Sequence, residues 1–126
     1  MVSKECVYTE KHEWARRDDD KVVIGISDYA QQELGEIVFV ELPREGSTYA
    51  AGDAAATIES VKTVSDIYIP VAGTVSSVNT ALENSPEQVN SDPYGEGWVF
   101  SITPERMEDL DSLLSPEAYE KLLEEA

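Results

Sequence analysis

Eight consecutive residues carry the clearest chemical signal in the chain: Glu59-Ser60-Val61-Lys62-Thr63-Val64-Ser65-Asp66. Two short strand-like runs flank the segment closely, which predicts a hairpin bending at Val61-Lys62-Thr63. The bend contains none of the Gly, Pro, Asn or Asp that such turns favour. Places where local rules fail are often functional or strained. A lysine at this apex projects an amine on a four-carbon stem into solvent, within reach of an amine-modifying enzyme. Lysines are mostly solvated surface groups, so the amine alone assigns no chemistry. Of the five lysines, this one tops an otherwise apolar and acidic hairpin.

Other reactive residue types are sparse. His12 is the only histidine, and with Glu13 it suggests acid–base chemistry. A small hydrolase or isomerase built on that pair lacks a second base or nucleophile beside it. Cys6 is the only cysteine, so there is no internal disulfide, and neither a structural zinc nor any other metal site is expected. Gly25, Gly35, Gly73 and Gly97 read as turn and cap residues, without a phosphate-cradling spacing. Trp14, Trp98 and Phe39 read as core, and Asp92-Pro93-Tyr94-Gly95-Glu96-Gly97-Trp98 as a structural turn into the last strand.

The elements that must position the lysine are mostly strands. Expected strands cover 22–26, 36–41, 47–49, 54–60, 64–70, 74–79 and 98–102. A helix opens at Ser27-Asp28, with Asp28 as cap and Gln31 three residues on, and stops at Gly35. Residues 80–97 read as a long polar connection. Pro104 is expected to break the last strand, and two helices follow over about 105–125. The first spans 105–114, and Ser115-Pro116 starts the second as N-cap and first helical position. Short strands, few helices and turn glycines imply a small β-sandwich or partly closed barrel, as one domain over 1–126. A chain of this length buries roughly two-thirds of its unfolded surface and can hold a core without staples. Segments 46–60 and 64–79 share a strand–turn–strand rhythm about the lysine.

Charge excludes several classes. Nine Lys plus Arg stand against 26 Asp plus Glu, a net −17. Nucleic-acid binding needs clustered cations, and an anionic membrane surface repels such a chain. The longest apolar run is four residues, 37–40, against about twenty for a membrane span. Residues 1–6 show neither a signal core nor an Arg-rich leader, so a cytoplasmic location is expected. The acidic surplus has two competing readings: adaptation to a salty cytosol, or steering onto basic partners, which salt screens. Self-repulsion favours a monomer.

The lysine segment, with Pro70 and Gly73 following, resembles the lipoyl-lysine hairpin of the glycine cleavage system H protein family. Further blocks are similar and in family order: His12-Glu13-Trp14, Gly25-Ile26-Ser27-Asp28-Tyr29-Ala30-Gln31, Leu34 to Pro43, and Asn90-Ser91-Asp92-Pro93-Tyr94-Gly95-Glu96-Gly97-Trp98. The resemblance runs from about Tyr8 to the C-terminus. It implies a mainly β barrel-sandwich hybrid, as in lipoyl and biotinyl carrier domains, with a lipoyl hairpin at about 54–71. It implies lipoic acid in amide linkage on Lys62 and a carrier with no turnover of its own. Its implied partners are a pyridoxal-phosphate glycine decarboxylase (P protein), a tetrahydrofolate-dependent aminomethyltransferase (T protein), a dihydrolipoamide dehydrogenase (L protein) and lipoyl-attaching enzymes. The carrier takes an aminomethyl group from the first to the second, then reducing equivalents to the third. By the same resemblance Glu13 and Asp66, with His12 beside them, belong to a cleft that receives the loaded arm, where a carboxylate favours a cationic amine. Lys11 stands where the family often has Ser, and an ammonium there opposes such an amine. Glu59, Ser60 and Val61 are candidates for recognition by the lipoylating enzymes. The alternative within this reading is a relay passing lipoyl groups to other 2-oxoacid dehydrogenase complexes. A biotin carrier fits less well, because methionines usually flank its lysine and Val61 and Thr63 do here.

Overall fold

The computed structural model describes residues 1–125. The first strands are β1 (Val7–Tyr8), β2 (Glu13–Asp18) and β3 (Lys21–Ile26), followed by helix α1 (Asp28–Leu34). Next come β4 (Ile37–Glu41), β5 (Thr48–Tyr49), β6 (Ala54–Ser60), β7 (Val64–Tyr68) and β8 (Gly73–Val78). Two short helices, α2 (Ala81–Asn84) and α3 (Gln88–Ser91), lead to β9 (Phe100–Pro104). A 3-10 segment, Met107–Ser112, and helix α4 (Pro116–Glu125) complete the described chain.

The strands form two sheets. One has six strands in the order β1-β2-β3-β9-β8-β5, the other three in the order β4-β6-β7. Every pairing is antiparallel. The mainly β carrier-type sandwich expected from the sequence is the observed architecture. Period-two alternation builds its core. On β3 Val22 and Ile24 are buried while Val23 is partly exposed, and on β6 Ala56 and Ile58 turn inward between Ala55, Thr57 and Glu59. Ile37, Val40, Ile67, Val75, Val99, Phe100 and Ile102 join them between the sheets. A second cluster, Cys6, Tyr8, Trp14 and Tyr119, sits where α4 docks on β1 and β2. Tyr8 and Tyr119 stack there with ring centroids 4.2 Å apart. Gly25 lets Trp14 lie flat on β3, since a Cβ there would meet the indole at 2.7 Å.

Several expectations need correction. Ser27, not Asp28, caps α1: its hydroxyl accepts from the Ala30 amide at 3.2 Å, and Asp28 is the first helical residue. The polar stretch 80–97 contains α2 and α3, each four residues long and anchored by one buried apolar side chain, Leu82 or Val89. The helix expected over 105–114 is a 3-10 segment whose apolar residues are only partly buried, so no full α-turn is driven to form. The last strand, expected over 98–102, is Phe100–Pro104; Pro104 ends it as expected, pairing with Gly73 as its final residue, where the missing amide costs little. Phe39, expected in the core, is 52% exposed. A bulge in the β4–β6 pairing between Ile37 and Phe39 inserts Val38 as an extra residue, so that Val38 and Phe39 both face solvent.

Candidate functional site

The β6–β7 hairpin pairs Glu59 with Val64, leaving Ser60-Val61-Lys62-Thr63 as its turn. Two-residue hairpin loops usually need positive φ at the tip, which favours Gly or Asn. Neither Val61 nor Lys62 has positive φ. The turn is held another way. The Ser60 amide donates to the Thr63 carbonyl at 2.8 Å, and the Ser60 hydroxyl accepts from the amides of Lys62 and Thr63, both at 3.1 Å. One side-chain oxygen thus does what a helix cap does and replaces the glycine. Ser60 itself is buried. The Val61 amide donates to the Glu36 carbonyl at 3.0 Å, pinning the tip to the start of β4.

Lys62 is exposed at this apex. Its stem lies against the end of α1: a Cβ on Gly35 would meet Lys62 Cε at 3.5 Å. Gly35 has φ 82° and ψ −157°, a conformation essentially confined to glycine. It lets the chain leave α1 sharply and turn into β4 beside the lysine. Asn90 secures that corner. Its side-chain oxygen accepts from the Ile37 amide at 2.8 Å, and its Nδ2 donates to the Gly35 carbonyl and to Gln31 Oε1, both at 2.9 Å.

A cleft of about 300 Å³ lies between α1 and the strands of the hairpin. Ala30, Glu33 and Leu34 of α1 form one wall; Ile58, Ser65, Asp66 and Ile67 of the hairpin form the other. Lys11, His12 and Glu13 close its end. The structure therefore brings His12, Glu13 and Asp66 together on one cavity, with the Lys62 stem against the helix that bounds it. Glu13 is 3% exposed. Its carboxylate accepts from the Thr9 hydroxyl and from the Tyr68 amide at 3.2 Å. Burial holds its pKa above the usual carboxylate range, opposed by those hydrogen bonds and by Lys11. Asp66 is exposed at the rim and accepts from the Thr57 hydroxyl at 3.2 Å.

His12 is held by the fold. Its φ is 74°, its ring lies 4.8 Å from that of Tyr29, and Nδ1 is 2.7 Å from the Tyr119 hydroxyl. The Tyr119 hydroxyl lies 2.7 Å from the hydroxyl of Ser27, the α1 cap. A chain of hydrogen bonds thus runs from His12 through α4 to the N-terminus of α1. Burial pushes the His12 pKa down. Lys11 turns its ammonium onto the Tyr68 ring, 3.9 Å from the centroid, on the ridge that divides this cleft from a second one. Sequence reading names the lysine, His12, Glu13 and Asp66. It misses Gly35, Asn90 and Tyr119 as residues that set the site's shape. Gly35 carries a signal only as the glycine that stops α1, and Asn90 one inside the block Asn90 to Trp98, most of which reads as a turn.

Among the described residues no three His, Cys, Asp or Glu side chains gather into a metal-binding group, and no helix is long and apolar enough to cross a membrane. Two packed sheets with a protruding hairpin, bearing an exposed lysine at its bend, define a carrier domain of the lipoyl and biotinyl kind. The chain belongs to the family described as Glycine cleavage H-protein, whose model matches residues 6–126. It is 54% identical over 123 residues to a glycine cleavage system H protein of Thermus thermophilus, covering 98% of this chain and 96% of that one. It is 55% identical over 124 residues to that of Rubrobacter xylanophilus, with the same coverage. The crystal structure of a glycine cleavage system H protein from Mycobacterium marinum superposes with a TM-score of 0.90 at 36% identity, covering 98% of this chain and 99% of that one.

Proposed function

We propose that Lys62 bears lipoic acid in amide linkage, and that the chain is a non-catalytic carrier serving the enzymes of the glycine cleavage system in turn. The observation that carries this reading is the exposed Lys62 amine on a turn locked by Ser60, with its stem against the C-terminal end of α1, a helix that lines the cleft. A lipoyl group fits these surroundings. The arm is largely apolar once the lysine is acylated, and Ile26, Ala30, Leu34, Ile58 and Ile67 line the cleft with apolar atoms. When bound, the group supplies reversible thiol–disulfide chemistry, which needs exposure to partner active sites.

The chain's own residues supply placement and shelter. Ser60 and the Val61–Glu36 bond fix the pivot, so that the arm's flexibility begins at the lysine stem. Glu13 lies at the closed end of the cleft, where its ionised form would attract a cationic amine cargo. Lys11 opposes that attraction at short range, and its resting place on Tyr68 draws its ammonium toward the ridge. Asp66 at the rim adds a second carboxylate.

The P, T and L proteins and the lipoyl-attaching enzymes would meet this tip through small surfaces that release quickly. We read the whole chain as one carrier domain acting in the cytoplasm. The test is intact mass and peptide mapping of protein from cells supplied with lipoate. A mass gain of one lipoyl amide on the peptide containing Lys62 is expected; an unmodified Lys62, or a lipoyl group elsewhere, overturns the reading.

A further inference from the structure

Besides Met1, the large apolar side chains most exposed among the described residues are Val38, Phe39, Val61 and Val64, at 43%, 52%, 65% and 60%. Single exposed apolar residues need no explanation. These four share one end of one sheet, around one amine. Strand register places Phe39 opposite Glu59 and Glu59 opposite Val64. A row therefore crosses all three strands, Phe39–Glu59–Val64, immediately below the turn that holds Val61 and Lys62. The bulge on β4 adds Val38 beside it. Glu59 stands in the middle of this row between Phe39 and Val64, and Glu36, Glu41 and Asp66 are exposed nearby; among the described residues none of the four forms an ion pair.

We propose that this collar is the docking surface for the enzyme that acylates Lys62, and that the enzyme's mouth pairs apolar contacts for Val38, Phe39, Val61 and Val64 with Lys or Arg side chains facing Glu59 and the carboxylates around it. The proposal rests on reading Lys62 as the lipoyl-bearing residue. The site of reaction selects this occupant over the other partners. Enzymes that act on the arm's sulfurs work at its far end. An acylating enzyme must bring its reactive carbonyl to Nζ itself, and so must touch side chains one and two residues away. The Lys62 ammonium sheds one proton to free its lone pair and attacks the carbonyl of a lipoyl-adenylate. The C–N bond forms, the C–O bond to the phosphate breaks, AMP leaves, and the nitrogen loses its second proton as the amide forms. Val61 and Val64 lie within contact of any active site doing this. Phe39 and Val38 arrive from a strand more than twenty residues earlier in the chain, so the surface presented is a shape built from three strands rather than a linear motif. Apolar anchors framed by complementary charge give both hold and approach rate.

The test uses the full-length unmodified chain, a purified lipoate-attaching enzyme, lipoate and ATP, followed by intact mass over time. Wild type is expected to gain one lipoyl group on Lys62. Phe39→Ser is expected to lower kcat/KM about tenfold, mainly through KM, with a smaller loss for Val38→Thr. Both side chains face solvent, so thermal unfolding and circular dichroism should match wild type. Added salt should slow wild type more than a Glu36→Gln/Glu41→Gln double variant. Acylation of Phe39→Ser at the wild-type rate overturns the proposal. So does a wild-type dimer that Phe39→Ser dissolves, since the collar would then be a self-contact. If wild type gains no mass at Lys62, the lipoyl-lysine reading fails instead, and the two failures are distinct.

Discussion

The hairpin tip and the His12–Glu13 corner flank the same cleft, yet they are built by opposite rules. At the tip one buried hydroxyl answers the free amides, and the side chains around Lys62 are left in water. In the corner the polar groups are answered inside the protein: His12 by Tyr119, Tyr119 by Ser27, Glu13 by Thr9 and Tyr68. Among the described residues no buried side-chain polar atom lacks a partner. The difference separates recognition from stability. Substitutions of the exposed side chains at the tip should change lipoyl attachment and barely change folding; substitutions in the corner should change folding and leave lipoyl attachment as it is.

The sharpest way to break that division is Lys62→Arg. It should abolish lipoyl attachment and glycine cleavage by the reconstituted enzymes, while the thermal midpoint stays at the wild-type value. A shift of several degrees would show that the tip carries structure after all. Asn90→Ala attacks the joint between the two regions, since it strips partners from Gly35, Ile37 and Gln31. It should cost about 2 to 3 kcal/mol in chemical denaturation and also slow acylation, because the α1–β4 corner then loosens beneath Phe39. Tyr119→Phe tests the corner alone. Losing the hydroxyl between His12 and Ser27 should cost about 1 to 2 kcal/mol and leave the acylation rate unchanged.

The smallest effect is a pH dependence. Burial places the folded-state pKa of His12 below its ordinary 6.5. As pH falls through 6.5 the unfolded chain takes up the proton first, so His12 should lower stability progressively until the folded protein protonates as well. His12→Asn keeps a residue that tolerates positive φ and removes the titration. Its denaturation midpoint should be flatter than wild type over about pH 7 to 5. An unchanged slope would assign the acid sensitivity to another group.

Much of the scaffold is legible because β-branched residues and turn glycines mark β3, β6, β7 and β8 in the sequence itself. β1 and β2 escape such a reading, since Glu13-Trp14-Ala15-Arg16-Arg17-Asp18 has no β-branched residue and becomes a strand by pairing along its whole length with β3. α2 and α3 are too short for a period to appear, and neither has a side-chain N-cap bond. Phe39 is misplaced because alternation assumes a regular ladder, and one inserted residue reverses which face follows. At the site, Lys62 announces itself by sitting where turn chemistry fails. Ser60, the reason it fails without harm, lies two residues before it. Glu13 and Asp66, with His12 beside them, join the cleft in the sequence only through family resemblance. Tyr119 lies 107 residues from His12 and Asn90 lies 53 from Ile37, separations over which no local pattern speaks.

The irregularity on β4 has a further effect. β4 and β7 are the two borders of their sheet, and borders with oily residues invite another molecule's backbone to extend the ladder. The extra residue at Val38 interrupts the spacing that an incoming strand would have to match. The carboxylates nearby repel a second copy carrying the same net −17. A greasy landing pad can thus stay open at working concentrations without seeding fibres. That protection should weaken first where acid or concentrated salt quiets the repulsion and leaves the kink to act alone.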